Sequence, residues 1–160
     1  MFEKFFEKHH SLTVTAPVSG EVISLSQVDD PTFAQEILGK GAAIRPTEGR
    51  IVSPFDGTVE MMFDTGHAVS LTSNNGIELL IHVGIDTVKL KGAHYTTHVK
   101  SGDTVKAGQL LMECDLDAIR ADGYDTVTPV IVCNSDDFKS VNGIPGMTSV
   151  GHTIIKLTKK

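Results

Sequence analysis

Apolar and polar positions alternate along this chain in short runs, with a period close to two and almost no helical stripe. From Leu12 onward, segments rich in Val, Ile and Thr are separated by Gly, Pro, Asn and Asp. Alternation of this kind places successive side chains on opposite faces of a strand, and the intervening residues favour turns. The pattern predicts strands over residues 12–16, 20–25, 42–46, 57–63, 67–72, 77–83, 94–99, 109–114, 129–133 and 153–157. Two pieces break it. Pro31 to Leu38 reads as a short helix, capped by Asp30 and with Pro31 in its first position. Asp115 to Ala121 reads as another, stopped near Gly123. The expected architecture is all-β: a compact barrel or sandwich of short strands with short helical turns.

Within this pattern one unit repeats. Ala16-Pro17-Val18-Ser19-Gly20-Glu21-Val22 returns as Ser53-Pro54-Phe55-Asp56-Gly57-Thr58-Val59, with Pro, Gly and Val at one offset of 37. Each copy reads as a Pro-led turn, a Gly bend and a strand. A further stretch, Val99 to Leu111, resembles the hairpin of biotinyl and lipoyl carrier domains. It has no lysine at the expected tip, which argues against such a carrier.

Composition narrows the class. At 160 residues the chain is one ordinary domain, with 40% hydrophobic and 21% charged residues. A net charge of -6 argues against nucleic acid as the main partner, because a phosphate backbone needs a basic stripe. Cys114 and Cys133 lie in apolar runs without CxxC spacing, and the expectation is two buried free thiols. There is no signal-peptide pattern and no apolar run of about 20 residues, so the expected location is cytoplasmic. Residues 1–11 are expected to be a flexible segment ahead of a single domain over 12–160. Phe2, Phe5 and Phe6 could form one face of a short helix, allowing at most peripheral membrane contact. Met1 favours a free-standing protein over an excised domain.

The chemical signal lies in residues 67–83. His67 to Thr72 and Ile77 to Val83 read as two strands joined by Ser73-Asn74-Asn75-Gly76. A four-residue loop pairs Thr72 with Ile77 and therefore His67 with His82, about 5 Å apart between Cβ atoms. A three-residue loop would shift that register by one. Ile77, Leu79, Ile81 and Val83 share a core face; Leu80, His82 and Gly84 share the other. The Gly84 carbonyl could fix the His82 tautomer, and the Thr65 hydroxyl could orient His67. From the residues alone, the histidine pair fits phosphoryl transfer, metal ligation or a structural role.

Gly76-Ile77-Glu78-Leu79-Leu80-Ile81-His82-Val83-Gly84-Ile85-Asp86-Thr87-Val88 closely resembles the active-site signature of glucose-family IIA domains of the bacterial sugar phosphotransferase system. Phe63-Asp64-Thr65-Gly66-His67-Ala68 resembles that family's second histidine segment, and the likeness extends from about Val14 to Lys156. The resemblance implies an antiparallel β-sandwich, or barrel-sandwich hybrid, acting as a phosphohistidine phosphotransferase in sugar transport. His82 would accept a phosphoryl group from phospho-HPr and donate it to a cysteine of a IIB domain. His67 would hold the phosphoryl oxygens, Thr65 would support His67, and Gly84 would orient His82. Asp30 and Asp86 would face a basic residue of HPr, and Phe33, Phe63, Leu80 and Val88 would form the apolar rim of the docking surface. No cofactor or metal is implied. Regulated permeases or kinases are further partners that the resemblance implies.

Lys91-Gly92-Ala93-His94-Tyr95 departs from the family pattern, and His94 and His98 are extra histidines at metal-ligand spacing, read here as strand-face residues. Two alternatives to the phosphocarrier remain at this level. One is a regulatory binding protein of the same fold that responds to phosphorylation state. The other, less favoured, is a zinc hydrolase, since His82 and Asp86 have H-x-x-x-D spacing but no H-x-H element accompanies them.

Overall fold

A computed structural model of the chain describes residues 11–160. The reading of residues 1–10, including Phe2, Phe5 and Phe6, lies outside the described residues. Among the described residues, fourteen strands and two short α-helices follow in order. They are β1 (Ser11–Thr15), β2 (Gly20–Ile23), α1 (Pro31–Ala34), β3 (Lys40–Pro46), β4 (Arg50–Val52), β5 (Gly57–Met62), β6 (Ala68–Ser73) and β7 (Glu78–His82). After these come β8 (Tyr95–Thr97), β9 (Thr104–Val105), β10 (Leu110–Cys114), α2 (Leu116–Ala121), β11 (Thr128–Val132), β12 (Phe138–Gly143), β13 (Gly146–Thr148) and β14 (Thr153–Lys159). Every strand pairing is antiparallel. An eight-stranded sheet in the order β13-β2-β3-β11-β7-β6-β5-β9 is joined by two three-stranded sheets, β1-β14-β12 and β4-β10-β8. The fold is the all-β sandwich expected from the alternation.

The large sheet buries both faces around its centre. On β11, Val130 and Val132 enter the main core, whereas Ile131 enters a second, smaller cluster. Likewise Leu79 and Ile81 of β7 face the main core, and Leu80 packs against the second cluster. That cluster is closed by Leu25, Val28 and Phe33 from the segment around α1. Alternation along β7 therefore places His82 with Leu80, at the margin of the smaller cluster rather than in the main core.

The repeated unit has one structural job in both copies. Gly20 opens β2 and Gly57 opens β5, each against a partner strand. A Cβ on Gly20 would lie 2.1 Å from the Arg45 carbonyl oxygen, and one on Gly57 would lie 2.2 Å from that of Thr72. Only glycine permits this approach.

Several expectations are corrected. Strands β4, β9, β12 and β13 lie outside the expected set; β9 spans two residues and β4 and β13 three each, too few to show alternation, while six-residue β12 buries only Phe138 and so shows no alternating face. The expected helix over 31–38 is only Pro31–Ala34, since Glu36 turns left-handed (φ 57°) and redirects the chain into β3. The Val99–Leu111 unit is not a hairpin: β9 pairs with β5, and β10 pairs with β4 and β8. Cys133 is exposed and Cys114 half-buried, so neither thiol is a core residue. Cys133 follows the last residue of β11, where the alternation no longer sees the core.

Candidate functional site

Between β6 and β7, Ser73 pairs with Ile77 and closes a turn of three residues, Asn74 to Gly76, where a four-residue loop closed by Thr72 and Ile77 is expected. Ser73 N–H donates to the Ile77 carbonyl (2.9 Å), Gly76 N–H donates to that of Ser73 (3.1 Å), and Gly76 adopts φ 92°. This is the geometry of a turn that ends in a left-handed glycine. The Ser73 hydroxyl tightens it by accepting from Ile77 N–H (2.9 Å). Register follows: Thr72 opposes Glu78, and Ala68 opposes His82. The expected direct pairing of His67 with His82 is therefore wrong by one residue.

The two rings nevertheless meet. Their centroids are 4.9 Å apart with planes at 82°. His67 precedes the first residue of β6 and follows Gly66 (φ 71°), so strand alternation does not govern its direction. Its backbone stays in register, since its carbonyl accepts from Val83 N–H at 2.7 Å. Phe63 stands edge-on to His67 at 5.6 Å, and Phe33 is tilted against His82 at 5.1 Å. Four rings thus run in series: Phe33, His82, His67, Phe63.

Each imidazole is held by a residue two positions away. His82 Nδ1–H donates to the Gly84 carbonyl at 2.7 Å. A carbonyl can only accept, so this bond places the proton on Nδ1 and leaves Nε2 with its lone pair free. Gly84 adopts φ 93°, and a Cβ there would lie 2.4 Å from Thr87 Cγ2. His67 Nδ1 is engaged by the Thr65 hydroxyl at 2.5 Å. Both roles expected of Thr65 and Gly84 are geometrically available.

Both histidines are held neutral near pH 7. Burial and the neighbouring His82 bring His67 down to about 4. Burial also lowers His82, opposed by the bond to Gly84 and by the carboxylates of Asp30 and Asp86. Those two aspartates thus lie near enough to act on the ring. Asp30 caps α1, accepting from Thr32 N–H at 2.9 Å. Asp86 is exposed, in left-handed conformation, and makes no capping bond. Of the apolar set, Val88 is 51% exposed, Phe63 and Leu80 are half-buried, and Phe33 is buried in the second cluster.

His94 and His98 do not join this group. His94 Nε2 meets Asp122 Oδ2 at 2.7 Å, and His98 Nε2 lies 3.6 Å from Glu113 Oε1. Among the described residues, no group of three or more His, Cys, Asp or Glu is placed to hold a metal ion. None of the described helices is long and apolar enough to cross a membrane.

Sequence reasoning missed two supports. Tyr95 Oη–H and Thr87 Oγ1–H both donate to the Val83 carbonyl, at 2.7 and 2.8 Å. The turn Asp125–Val127 accepts from the next two amides: Gly84 N–H reaches the Val127 carbonyl (3.1 Å) and Ile85 N–H that of Asp125 (3.0 Å). The Asp-Thr-Val sequence carries an Asx-turn signal that could have marked this turn. Nothing local marks the bonds to Val83.

Comparison with known proteins places these features in context. Residues 12–138 match the profile of the family described as phosphoenolpyruvate-dependent sugar phosphotransferase system, EIIA 1. The chain is 42% identical over 165 residues to the PTS system glucose-specific EIIA component of Bacillus anthracis, covering 100% of both. It is 52% identical over 132 residues to the PTS system beta-glucoside-specific EIIBCA component of Dickeya chrysanthemi. That match covers 82% of this chain but spans only 21% of the relative's length. Among solved structures, glucose permease IIA from Mycoplasma capricolum superposes with a TM-score of 0.86 at 31% identity, covering 91% of this chain and 95% of that one.

Proposed function

Since the chain belongs to the EIIA 1 family of the phosphoenolpyruvate-dependent sugar phosphotransferase system and is a phosphocarrier of that system, we propose that His82 carries the phosphoryl group and His67 holds its oxygens. The observation that carries this reading is the bond from His82 Nδ1–H to the Gly84 carbonyl, which leaves Nε2 unprotonated beside a second neutral ring.

The donor is phospho-HPr. The Nε2 lone pair of His82 attacks phosphorus in line with the donor's P–N bond. That bond breaks, and its electron pair returns to the donor imidazole as the new N–P bond forms. No proton leaves His82, because Nε2 bears none. The phosphorylated ring is an imidazolium whose Nδ1–H stays on Gly84. The second half repeats the step in reverse, with a IIB cysteine thiolate as nucleophile and His82 as leaving group. A neutral, well-placed leaving group makes both directions accessible.

His67 has one proton when neutral, and phosphoryl oxygens only accept. The nitrogen facing them must therefore be Nε2–H, and Nδ1 must accept from the Thr65 hydroxyl. Asp30 and Asp86 give the rim a negative charge suited to a basic partner. Exposed Val88 and half-buried Phe63 and Leu80 supply apolar surface around the rings, Phe33 backs it from the buried second cluster, and transient docking uses charge and apolar surface together. The carrier works in the cytoplasm, and a IIB domain of a glucose-family permease is its acceptor. The relatives' names divide between glucose and β-glucoside, so a panel of IIB domains identifies the sugar.

The test is phosphorylation by phospho-HPr. Wild type takes up an acid-labile label, and His82→Ala takes up none. Label retained by a folded His82→Ala protein would remove His82 from the role.

A further inference from the structure

The Gly84 carbonyl is itself held from behind. Its peptide unit donates through Ile85 N–H to the Asp125 carbonyl (3.0 Å), and the preceding unit donates through Gly84 N–H to the Val127 carbonyl (3.1 Å). A hydrogen-bond chain thus runs from His82 Nδ1–H through the Gly84–Ile85 peptide to Asp125. A peptide whose N–H is already bonded has a more polarised carbonyl and accepts more strongly.

What fixes the two carbonyls is the shape of a three-residue turn. Asp125 Oδ1 accepts from Val127 N–H at 2.9 Å. Arg120 Nε–H donates to Thr126 Oγ1 at 3.1 Å, and Thr128 Oγ1–H donates to the Thr126 carbonyl at 3.0 Å. The Asp125 side chain is exposed and engaged with Val127 N–H, whereas Thr126 is buried. Gly84 cannot hold itself in place, since its own φ of 93° is a conformation glycine shares with many alternatives.

We infer that Asp125 is a positioning residue for phosphoryl transfer: its turn, braced by Thr126 and Arg120, keeps the Gly84 carbonyl aimed at His82 and so holds His82 in the tautomer with a free Nε2. The inference rests on the reading of His82 as phosphoryl acceptor. Loss of the Asp125 side-chain bond releases the turn, lets the Gly84 peptide rotate, and allows the His82 proton to move to Nε2. In that tautomer Nε2 has no lone pair with which to attack phosphorus.

Full-length Asp125→Ala, Asp125→Asn and Thr126→Val proteins test this. The readouts are the imidazole 15N shifts of His82 and the kinetics of labelling by phospho-HPr. In wild type, His82 carries its proton on Nδ1. Asp125→Ala is expected to mix the two tautomers and lower kcat roughly 10- to 100-fold, with KM within about twofold of wild type. Asp125→Asn restores both, because its amide oxygen still accepts from Val127 N–H. Thr126→Val, which removes the Arg120 bond, gives a smaller shift of the same kind and decides the matter if Asp125→Ala does not fold. Wild-type 15N shifts and kcat in a folded Asp125→Ala or Thr126→Val protein would overturn the inference. So would an Asp125→Asn defect equal to that of Asp125→Ala and confined to KM, since Asp125 would then act through its charge in docking. The 15N measurement needs no phosphoryl donor, so it stands apart from the labelling of His82→Ala that tests the acceptor itself.

Discussion

His67 and His82 stand edge to face, 4.9 Å between centroids, yet the residue directly across the ladder from His82 is Ala68. The contact is made because His67 sits just outside β6, after the left-handed Gly66. The side chain that meets His82 is thus freed from the strand's alternation while its backbone stays bonded to Val83. This predicts a division of labour. His67→Gln should still accept the phosphoryl group on His82 but pass it to IIB at least about tenfold more slowly, because its amide can donate a hydrogen bond but cannot take up the proton that makes an imidazole cationic beside the phosphoryl oxygens. Rapid-quench transfer from the phosphorylated variant measures this, and unchanged onward rates would contradict the helper role.

Acid should destabilise the fold through His67. The unfolded ring titrates near 6.5 and the folded one near about 4. Between those values the unfolded chain binds a proton that the folded chain refuses, so stability rises with pH across this window. Stability is fully present above about 6.5 and is lost progressively as pH falls toward 4. His82, also lowered, adds in the same sense. Urea unfolding at pH 7 and pH 4.5 should show the loss, and His67→Gln should show a smaller one.

Phosphorylation should reverse the electrostatics at His67. A phosphoryl group on His82 places negative charge beside a ring now lowered by burial and by its neighbour, and opposite charge favours the protonated form. The His67 midpoint should move upward in the phosphorylated protein, as followed by imidazole 15N shifts against pH. A midpoint still near 4 would place the phosphoryl group elsewhere.

Gly84→Ala should fail in two ways. The left-handed φ penalises a Cβ, and that Cβ would lie 2.4 Å from Thr87 Cγ2 and 3.1 Å from the Asp125 carbonyl oxygen. A loss of about 1–3 kcal/mol in stability is expected, together with a steep fall in labelling as the carbonyl leaves His82. Thermal unfolding and phospho-HPr labelling read the two effects separately.

Phe33→Ala should raise the His82 midpoint toward the ordinary histidine range, because the ring that covers one side of it is removed. It should also cost about 3 kcal/mol or more, since Phe33 is 5% exposed within the second cluster. Titration of His82 by NMR and chemical denaturation check the pair of effects.

Much of this was legible in the chain. Alternation separated Leu79 and Ile81 from Leu80 and His82, and the structure keeps that partition. The Asp30 cap and Pro31 marked the start of α1, and the Pro-Gly repeat marked β2 and β5. Register was less accessible, because Ser-Asn-Asn-Gly supports loops of two, three or four residues and only the Gly76 conformation decides among them. The supports behind the site were least accessible. Tyr95, Thr87 and the Asp125–Val127 turn act through backbone atoms brought together from distant parts of the chain. No periodicity records which carbonyl a hydroxyl will find.

Both rings take their orientation from a neighbour two residues away, Thr65 for His67 and Gly84 for His82. Their distance from each other has a different origin: the pairing of β6 with β7 through the Asn74–Gly76 turn. Tautomer and separation are therefore independent settings of one device. Lengthening the turn would retune the gap between the rings while each kept its own proton in place. Carrying the segments 65–67 and 82–84 onto another antiparallel ladder would move the proton pattern only together with the 125–127 turn that holds the Gly84 carbonyl, and would leave the spacing to be rebuilt.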